Sequence, residues 1–177
     1  YSKLLLTAGT ETTRTLITGG LELLAQHPDQ RQMMIDDPTR TPDAVEEMLR
    51  MVSPVIAFGR TATTDVELNG ELVRNGDYVV QFYASANRDE NVWQDAERFD
   101  ITRAAHKHLA FGHGPHICLG APLARMEARV IFDELLAAFP AFELDGDKRT
   151  RGNTLVKVVE RLPVVFGPRR PRTEVAA

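Results

Sequence analysis

Apolar residues at Leu5, Ala8, Leu16 and the Leu23-Leu24 pair recur at helical spacing. They predict a helix running to about Gln26, with Pro28 closing it. Asp29 to Ile35 continues the pattern as a short helical segment. Thr41-Pro42-Asp43 then offers an N-cap, a proline at the first helical position and an acidic first turn, so a helix is expected from there to about Met51, stopping before Pro54. Past Pro54 the period changes to two. Asp65 to Val73 alternates around Asn69-Gly70, a strong hairpin signal, and Asn75-Gly76 turns the chain into a second extended run, Asp77 to Tyr83. Residues 84–117 are loop-rich apart from a short helix expected near Ser85 to Arg88, and an irregular stretch of that length points to function or ligand wrapping. Ala121-Pro122 opens a second long helix to about Phe139, carrying Ala128, Ile131, Phe132, Leu135 and Phe139 at helical spacing. Leu155 to Val159 and Leu162 to Phe166 read as short closing strands, and no internal repeat is present. The expected class is therefore mainly α with small β-sheets, α+β.

Composition narrows the choice of partners. At 43% hydrophobic, 26% charged and a formal net charge of −4, the chain has the balance of an ordinary globular protein. It carries no overall positive field to attract nucleic acid; only the terminal Gly167-Pro-Arg-Arg-Pro-Arg-Thr is basic, and residues 168–177 are expected to form a disordered tail. No apolar run reaches membrane-spanning length and no signal peptide is present. A single cysteine cannot close an internal disulfide, which suits a reducing, cytoplasmic compartment. The first helical pattern starts at Tyr1-Ser-Lys-Leu without a cap or a preceding turn. On that ground the 177 residues are expected to be the C-terminal part of a longer chain.

Candidate chemistry centres on His113-Gly-Pro-His-Ile-Cys118-Leu-Gly120, which holds the sole cysteine. Four of the five histidines, His106, His108, His113 and His116, precede it closely. Thiolate plus imidazole would suit tetrahedral zinc, but zinc frameworks normally carry further cysteines and two spaced ligand pairs. Cys118 lies just before a helix start, where backbone N–H groups and the positive end of the dipole favour a thiolate. That environment serves a nucleophile and a metal ligand equally. A small buried hydrophobe is the commonest fate of a lone cysteine, yet it leaves Gly112, Gly114 and Gly120 unexplained.

Phe111-x-x-Gly114-x-x-x-Cys118-x-Gly120 resembles the heme-binding signature of the cytochromes P450. Two further stretches match at that family's order and spacing. Glu47-Met-Leu-Arg50 is similar to its Glu-x-x-Arg, in which two side chains share a helix face and form a buried brace. An arginine from the loop before the heme segment joins that brace, and Arg98 in Glu97-Arg98-Phe99 is the expected member, with Ala96 where a proline often stands. Ala8-Gly9-Thr10-Glu11-Thr12-Thr13 is poor helix-interior sequence; close packing on a neighbouring helix would account for it. In the family it marks the widened central helix over the heme, where an acid and an alcohol handle protons, and Glu11 and Thr12 match those two.

The resemblance spans the chain and implies the C-terminal, heme-binding part of a single P450 domain over residues 1–177, with the N-terminal half of the same protein missing. It implies heme b (iron protoporphyrin IX) with Cys118 as axial thiolate, and Phe111, Gly112, Gly120 and Ala124 around it. Arg60 and His116 are the matching cations for the heme propionates, and His108 and His113 are left as loop histidines. Substrate walls are implied at Leu5, Ala8, Gly9, Val55, Ile56 and Ala57, all uncharged, which favours a hydrophobic small molecule such as a steroid or terpenoid. The implied reaction is monooxygenation with O2 and electrons from a ferredoxin-type donor, for which Arg125 and Arg129 offer part of a basic docking face. A peroxide-driven enzyme on the same scaffold, a non-catalytic fragment and a zinc-binding structural module are the alternatives.

Overall fold

The computed structural model describes residues 2–151 and 155–171, with side chains from residue 8 onward. Helix α1 (Ser2–Gln26) is followed by α2 (Pro28–Asp36), a 3-10 turn (Pro38–Arg40) and α3 (Thr41–Val52). Strand β1 (Ala57–Thr61) leads into the hairpin β2 (Val66–Leu68) and β3 (Glu71–Val73), then β4 (Tyr78–Phe82) and the single-turn helix α4 (Tyr83–Ala86). Two 3-10 turns, Ala105–Lys107 and Gly114–His116, punctuate the long loop before α5 (Ala121–Ala138). Strands β5 (Phe142–Leu144), β6 (Arg149–Arg151), β7 (Val158–Arg161) and β8 (Val164–Phe166) complete the described chain. Mainly helix with small sheets is what the periodicity predicts, and it is what forms.

The core lies between α1, α3 and α5. Helix α3 is buried from Ala44 to Val52, so even its charged residues face protein. Leu16 and Leu24 of α1, Phe132 and Leu136 of α5, and Met34, Phe99 and Ile101 pack around it. Two adjacent glycines set the closeness of this packing. A Cβ on Gly20 would sit 2.5 Å from Phe132 Cζ and 2.8 Å from Met48 Sδ; one on Gly19 would sit 2.6 Å from Val52 Cγ2. Helix packing thus explains glycines in α1, but at Gly19-Gly20.

Several expectations are corrected. Thr41 is not an N-cap: Arg40 holds that position, and the Thr41 hydroxyl instead donates to Asp133 Oδ1 on α5. Asp37 caps the preceding 3-10 turn, its carboxylate accepting from the Thr39 N–H, so the helical entry starts earlier than the Thr-Pro-Asp signal indicates. Strand β4 pairs antiparallel with β1 (Arg60 opposite Val79), and the β2–β3 hairpin is an excursion between them. That hairpin turns on Asn69 (φ 52°) and Gly70 (φ 85°), the left-handed pair such a two-residue turn requires. Tyr83 leaves the strand to open α4, earlier than the expected helix at Ser85. The strand expected over residues 155–159 is displaced: Val156 makes an isolated bridge to Val55, while β7 pairs with β6. β8 pairs with β5 (Phe142 opposite Phe166). In α5, Ile131 is exposed and Leu136 takes a core place alongside Ala128 and Phe132. Of the expected tail, residues 168–171 are described, with Arg170 N–H donating to Ala138 O at 2.8 Å; residues 172–177 lie outside the described residues.

Candidate functional site

Cys118 is free and exposed on a loop shaped by two glycines in the left-handed region, Gly112 (φ 71°) and Gly114 (φ 75°). A side chain at either would strain the backbone. Short backbone bonds fold the segment on itself: Cys118 N–H donates to Phe111 O at 2.9 Å, Ile117 N–H to Gly114 O at 3.1 Å and Gly112 N–H to Leu109 O at 2.9 Å. Gly120 is the N-cap of α5, with Pro122 in its first turn, so the cysteine sits at the positive end of an 18-residue helix. Around the thiol the surface is apolar: Ile117 is 59% and Leu119 93% exposed. His113 and His116 are exposed beside it.

The loop is anchored from below by α3. Glu47 and Arg50 are fully buried and meet twice, Arg50 Nε to Glu47 Oε2 at 2.7 Å and Nη2 to Oε1 at 2.8 Å. Arg50 also donates to the carbonyls of Asn87, Ala96 and Arg98, at 2.8, 2.7 and 3.1 Å. Glu47 Oε1 accepts the Asp100 N–H at 3.1 Å. A buried pair is strongly costly to break, because the surviving charge is left uncompensated. Here every polar atom of the pair has a partner, and four of the bonds go to loop backbone. The brace therefore fixes residues 87–103.

The third member of this brace is Arg103, with Nε 3.3 Å from Glu47 Oε1. Arg98 contributes its carbonyl; its side chain is 64% exposed and lies 4.0 Å from Asp100. The Asp100 carboxylate accepts the Thr102 N–H at 3.0 Å and the Thr102 hydroxyl at 2.6 Å, a side-chain-locked turn after which Arg103 comes to face inward.

Asn87, which sequence reasoning did not single out, ties this brace to the cysteine loop. It is fully buried; its Oδ1 accepts Leu109 N–H at 2.7 Å and its Nδ2 donates to Ser53 Oγ at 2.8 Å. Ser53 in turn closes α3 by donating to Arg50 O at 2.9 Å. The helix expected over Ser85 to Arg88 would have contained Asn87, so the sequence carried no signal for its role; in the structure it is the C-cap of α4.

The neighbouring carboxylate, Glu46, makes a second buried cluster. Arg125 of α5 donates Nε to Glu46 Oε1 at 2.7 Å and Nη2 to Oε2 at 2.8 Å, and His108 Nε2 lies 3.2 Å from Oε2. Burial would push the Glu46 carboxyl up, but the hydrogen bonds and charges of Arg125 and His108 outweigh it and hold it to about 2. Arg125 is correspondingly raised, first by its bonds to Glu46, with the Cys118 charge among the smaller contributions. Its guanidinium lies 4.6 Å from the centroid of the half-buried Phe111 ring. Two expectations fall here. His108 is a buried partner of Glu46, and Arg125 is committed to an internal ion pair instead of standing free on a docking face. Arg129 is only part-exposed, its Nε buried and without a hydrogen-bond partner.

The remaining candidates lie on α1 and around β1. Ala8 and Gly9 are exposed, and a Cβ on Gly9 would meet no described atom within 4 Å. Glu11 pairs with Arg14 at 2.6 Å, both partly exposed, and the Thr12 hydroxyl donates to the Ala8 carbonyl one turn back. The side chain of Leu5 lies outside the described residues. Val55 and Ile56 are half-buried and Ala57 is buried, with Ile56 N–H donating to Leu155 O at 2.8 Å. Arg60 is exposed, its Nη1 donating to Gly59 O. Ala124 is half-buried in the first turn of α5, with its N–H donating to Gly120 O at 2.9 Å. Tyr83 joins the two regions: it packs edge-on to Phe58 at 6.1 Å, and its hydroxyl lies 3.5 Å from the Cβ position of Gly112. Among the described residues no three His, Cys, Asp or Glu gather as metal ligands, so the histidines do not converge on Cys118.

Comparison with known proteins places this geometry. The family model described as Cytochrome P450 matches residues 2–161. Linalool 8-monooxygenase of Pseudomonas putida is 41% identical over 166 residues, covering 94% of this chain and 41% of that protein. Cytochrome P450 CYP107DY1 of Priestia megaterium is 42% identical over 165 residues, covering 92% of this chain and 40% of that protein. The crystal structure of P450BioI in complex with a hexadec-9Z-enoic acid ligated acyl carrier protein superposes with a TM-score of 0.90 at 40% identity, covering 93% of this chain and 43% of that one. The chain thus spans about two fifths of the length of these relatives.

Proposed function

Because the chain belongs to the cytochrome P450 family, we propose that it is the heme-binding portion of a heme-thiolate monooxygenase that inserts one oxygen atom of O2 into a hydrophobic small molecule. The observation that carries this is the setting of Cys118. It is an exposed thiol at a helix N-terminus, on a glycine-shaped loop, ringed by apolar side chains that face outward. These residues fit a flat apolar group with a metal at its centre: the donor is one soft ligand, and the surface beside it is open and greasy. Bound heme would supply the redox and O2 chemistry, and the Cys118 thiolate would hold its metal.

The chain's own residues do the rest. Cys118 would provide the sulfur ligand, Phe111 would pack beside it, and Gly112, Gly120 and Ala124 would keep the approach free of side-chain bulk. Arg60 and His116, both exposed, would meet the propionates. Glu11 stands at the solvent edge in a surface ion pair, where it exchanges protons with water. Thr12, one residue on, passes them inward once its hydroxyl leaves the Ala8 carbonyl. Ala8, Gly9, Leu5 and Val55 to Ala57 form an uncharged substrate wall. The linalool named by one relative supports a terpenoid- or steroid-sized substrate. We further assign heme b as the cofactor, a ferredoxin-type protein as electron donor and the cytoplasm as compartment. No helix among the described residues is long and apolar enough to cross a membrane.

The test is the absorbance of the reduced, CO-bound full-length protein, which is expected to show the red-shifted Soret band of a thiolate ligand. Cys118→His should move that band to the imidazole position; an unchanged spectrum sinks the assignment. Thr12→Ala should leave the band in place and lower product formed per electron consumed, the remainder appearing as peroxide or water. Unchanged coupling would remove Thr12 from the proton path.

A further inference from the structure

Adjacent glutamates on α3 face different partners, and only one of them belongs to the Glu-x-x-Arg brace. We propose that the other, Glu46, is a positioning residue for the cysteine loop, acting through Arg125 and His108 to set the ring of Phe111 and the charge felt at Cys118. The proposal rests on the heme-thiolate reading given above.

The geometry is closed on every side. The Glu46 side chain is 3% exposed, and both its oxygens are occupied by Arg125, with His108 on the second. The His108 side chain is 1% exposed, and its Nδ1 accepts the Ala110 N–H at 3.1 Å. The proton of a neutral ring therefore sits on Nε2 and is donated to Glu46. This pair pins residues 108–110 immediately before Phe111. Arg125 is pinned from α5 by the same carboxylate, and its guanidinium carbon lies over the Phe111 ring at 4.6 Å. The His108 ring also meets that ring, tilted by 48° with centroids 5.8 Å apart. The Phe111 carbonyl accepts the Cys118 N–H. Glu46 therefore acts on the sulfur through Arg125 and His108, the side chains it holds. It decides where Arg125 and Phe111 stand, and it balances the positive charge that Arg125 brings towards the thiolate.

Charge and structure can be separated by sign. Reduction of a bound heme adds negative charge, which an uncompensated Arg125 favours and an uncompensated Glu46 opposes. In heme-loaded full-length protein poised against a reference dye, Glu46→Gln is expected to raise the ferrous-to-ferric ratio by about threefold or more, and Arg125→Gln to lower it by a similar factor. Combining the two should bring the ratio back to within about twofold of the parent. Shifts of the same sign in both single variants, or none in either, overturn the proposal while a thiolate-type CO band persists. If Glu46→Gln fails to accumulate, Arg125→Gln, made at a side chain 31% exposed, is read alone: a fall supports the proposal, and a rise or no change overturns it. A parent protein lacking the thiolate band overturns the functional reading, and this one with it.

Discussion

The floor beneath the cysteine loop and the exposed end of α1 carry equally specific sequence, yet they differ in how the fold accounts for it. Around α3 each charged side chain has a structural reason: Arg50 serves three loop carbonyls and Glu47, and Arg103 completes the set. Met51 and Val52 carbonyls at the helix end accept from Arg88 and Lys157, at 2.9 and 2.7 Å, where the dipole favours cations. On α1, by contrast, no described atom lies within 4 Å of the Gly9 Cβ position, Glu11 pairs with Arg14 one turn on, and Thr12 donates to Ala8 one turn back. Residues whose identity packing explains hold the fold; those whose identity it leaves unexplained are where chemistry is to be sought. That division gives predictions of very different size.

The largest effect is expected in the floor. Arg50→Leu leaves Glu47 charged, buried and short of partners and frees three carbonyls, so it should cost about 3–5 kcal/mol, enough to lose the folded protein. Urea titration of full-length protein measures it, and a loss below about 1 kcal/mol would show that the brace is dispensable. Next comes Gly20→Ala, where the added methyl meets Phe132 and Met48 well inside contact distance. Overpacking of this kind costs about 1–3 kcal/mol, and an unchanged midpoint would mean that α1 can move off α3 and α5.

Acid sharpens the comparison within α3 itself. Glu46 is held to about 2 against an ordinary value of 4.5, so the stability it contributes is complete above pH 4.5 and is lost as pH falls towards about 2. Glu46→Gln should flatten the pH dependence of the urea midpoint across that window. Parent and variant falling in parallel there would assign acid sensitivity to other carboxylates.

How much of this was legible beforehand follows from the range of the interactions involved. Helices α1, α2, α3 and α5 and the Asn69-Gly70 hairpin arise from local period and turn chemistry, and they were readable. Strands β5 and β6 were not. Each is three residues long, and β5 takes its ladder from β8, a segment beyond the next strand pair. Arg103 was missed in favour of Arg98 because both lie in one loop, and only the turn locked by Asp100 and Thr102 decides which side chain faces Glu47. His108 looked like a loop histidine because its partner, Glu46, is remote in sequence and adjacent only after α3 and the loop have packed. Motif spacing located Cys118, Glu47 and Arg50; the cluster that surrounds them depended on contacts that no spacing encodes.

The smallest effect concerns Gly9, and it separates the two regions within a single helix. Glycine in a helix interior is about 1 kcal/mol less favourable than alanine, because its backbone loses more freedom on folding. At Gly20 that cost is offset by close packing. At Gly9 no described atom lies within 4 Å of the Cβ position, so packing gives no return for it. Gly9→Ala should therefore leave full-length protein as stable as the parent, or more stable by up to about 1 kcal/mol. If Gly9 lines a substrate wall, the same methyl occupies space the ligand needs, and substrate-induced spectral titration should show weaker binding with the CO band unchanged. A gain in stability joined to a loss of affinity marks a residue kept for a ligand. Destabilisation comparable to that of Gly20→Ala would instead make Gly9 a packing glycine and erase the contrast between the two ends of α1.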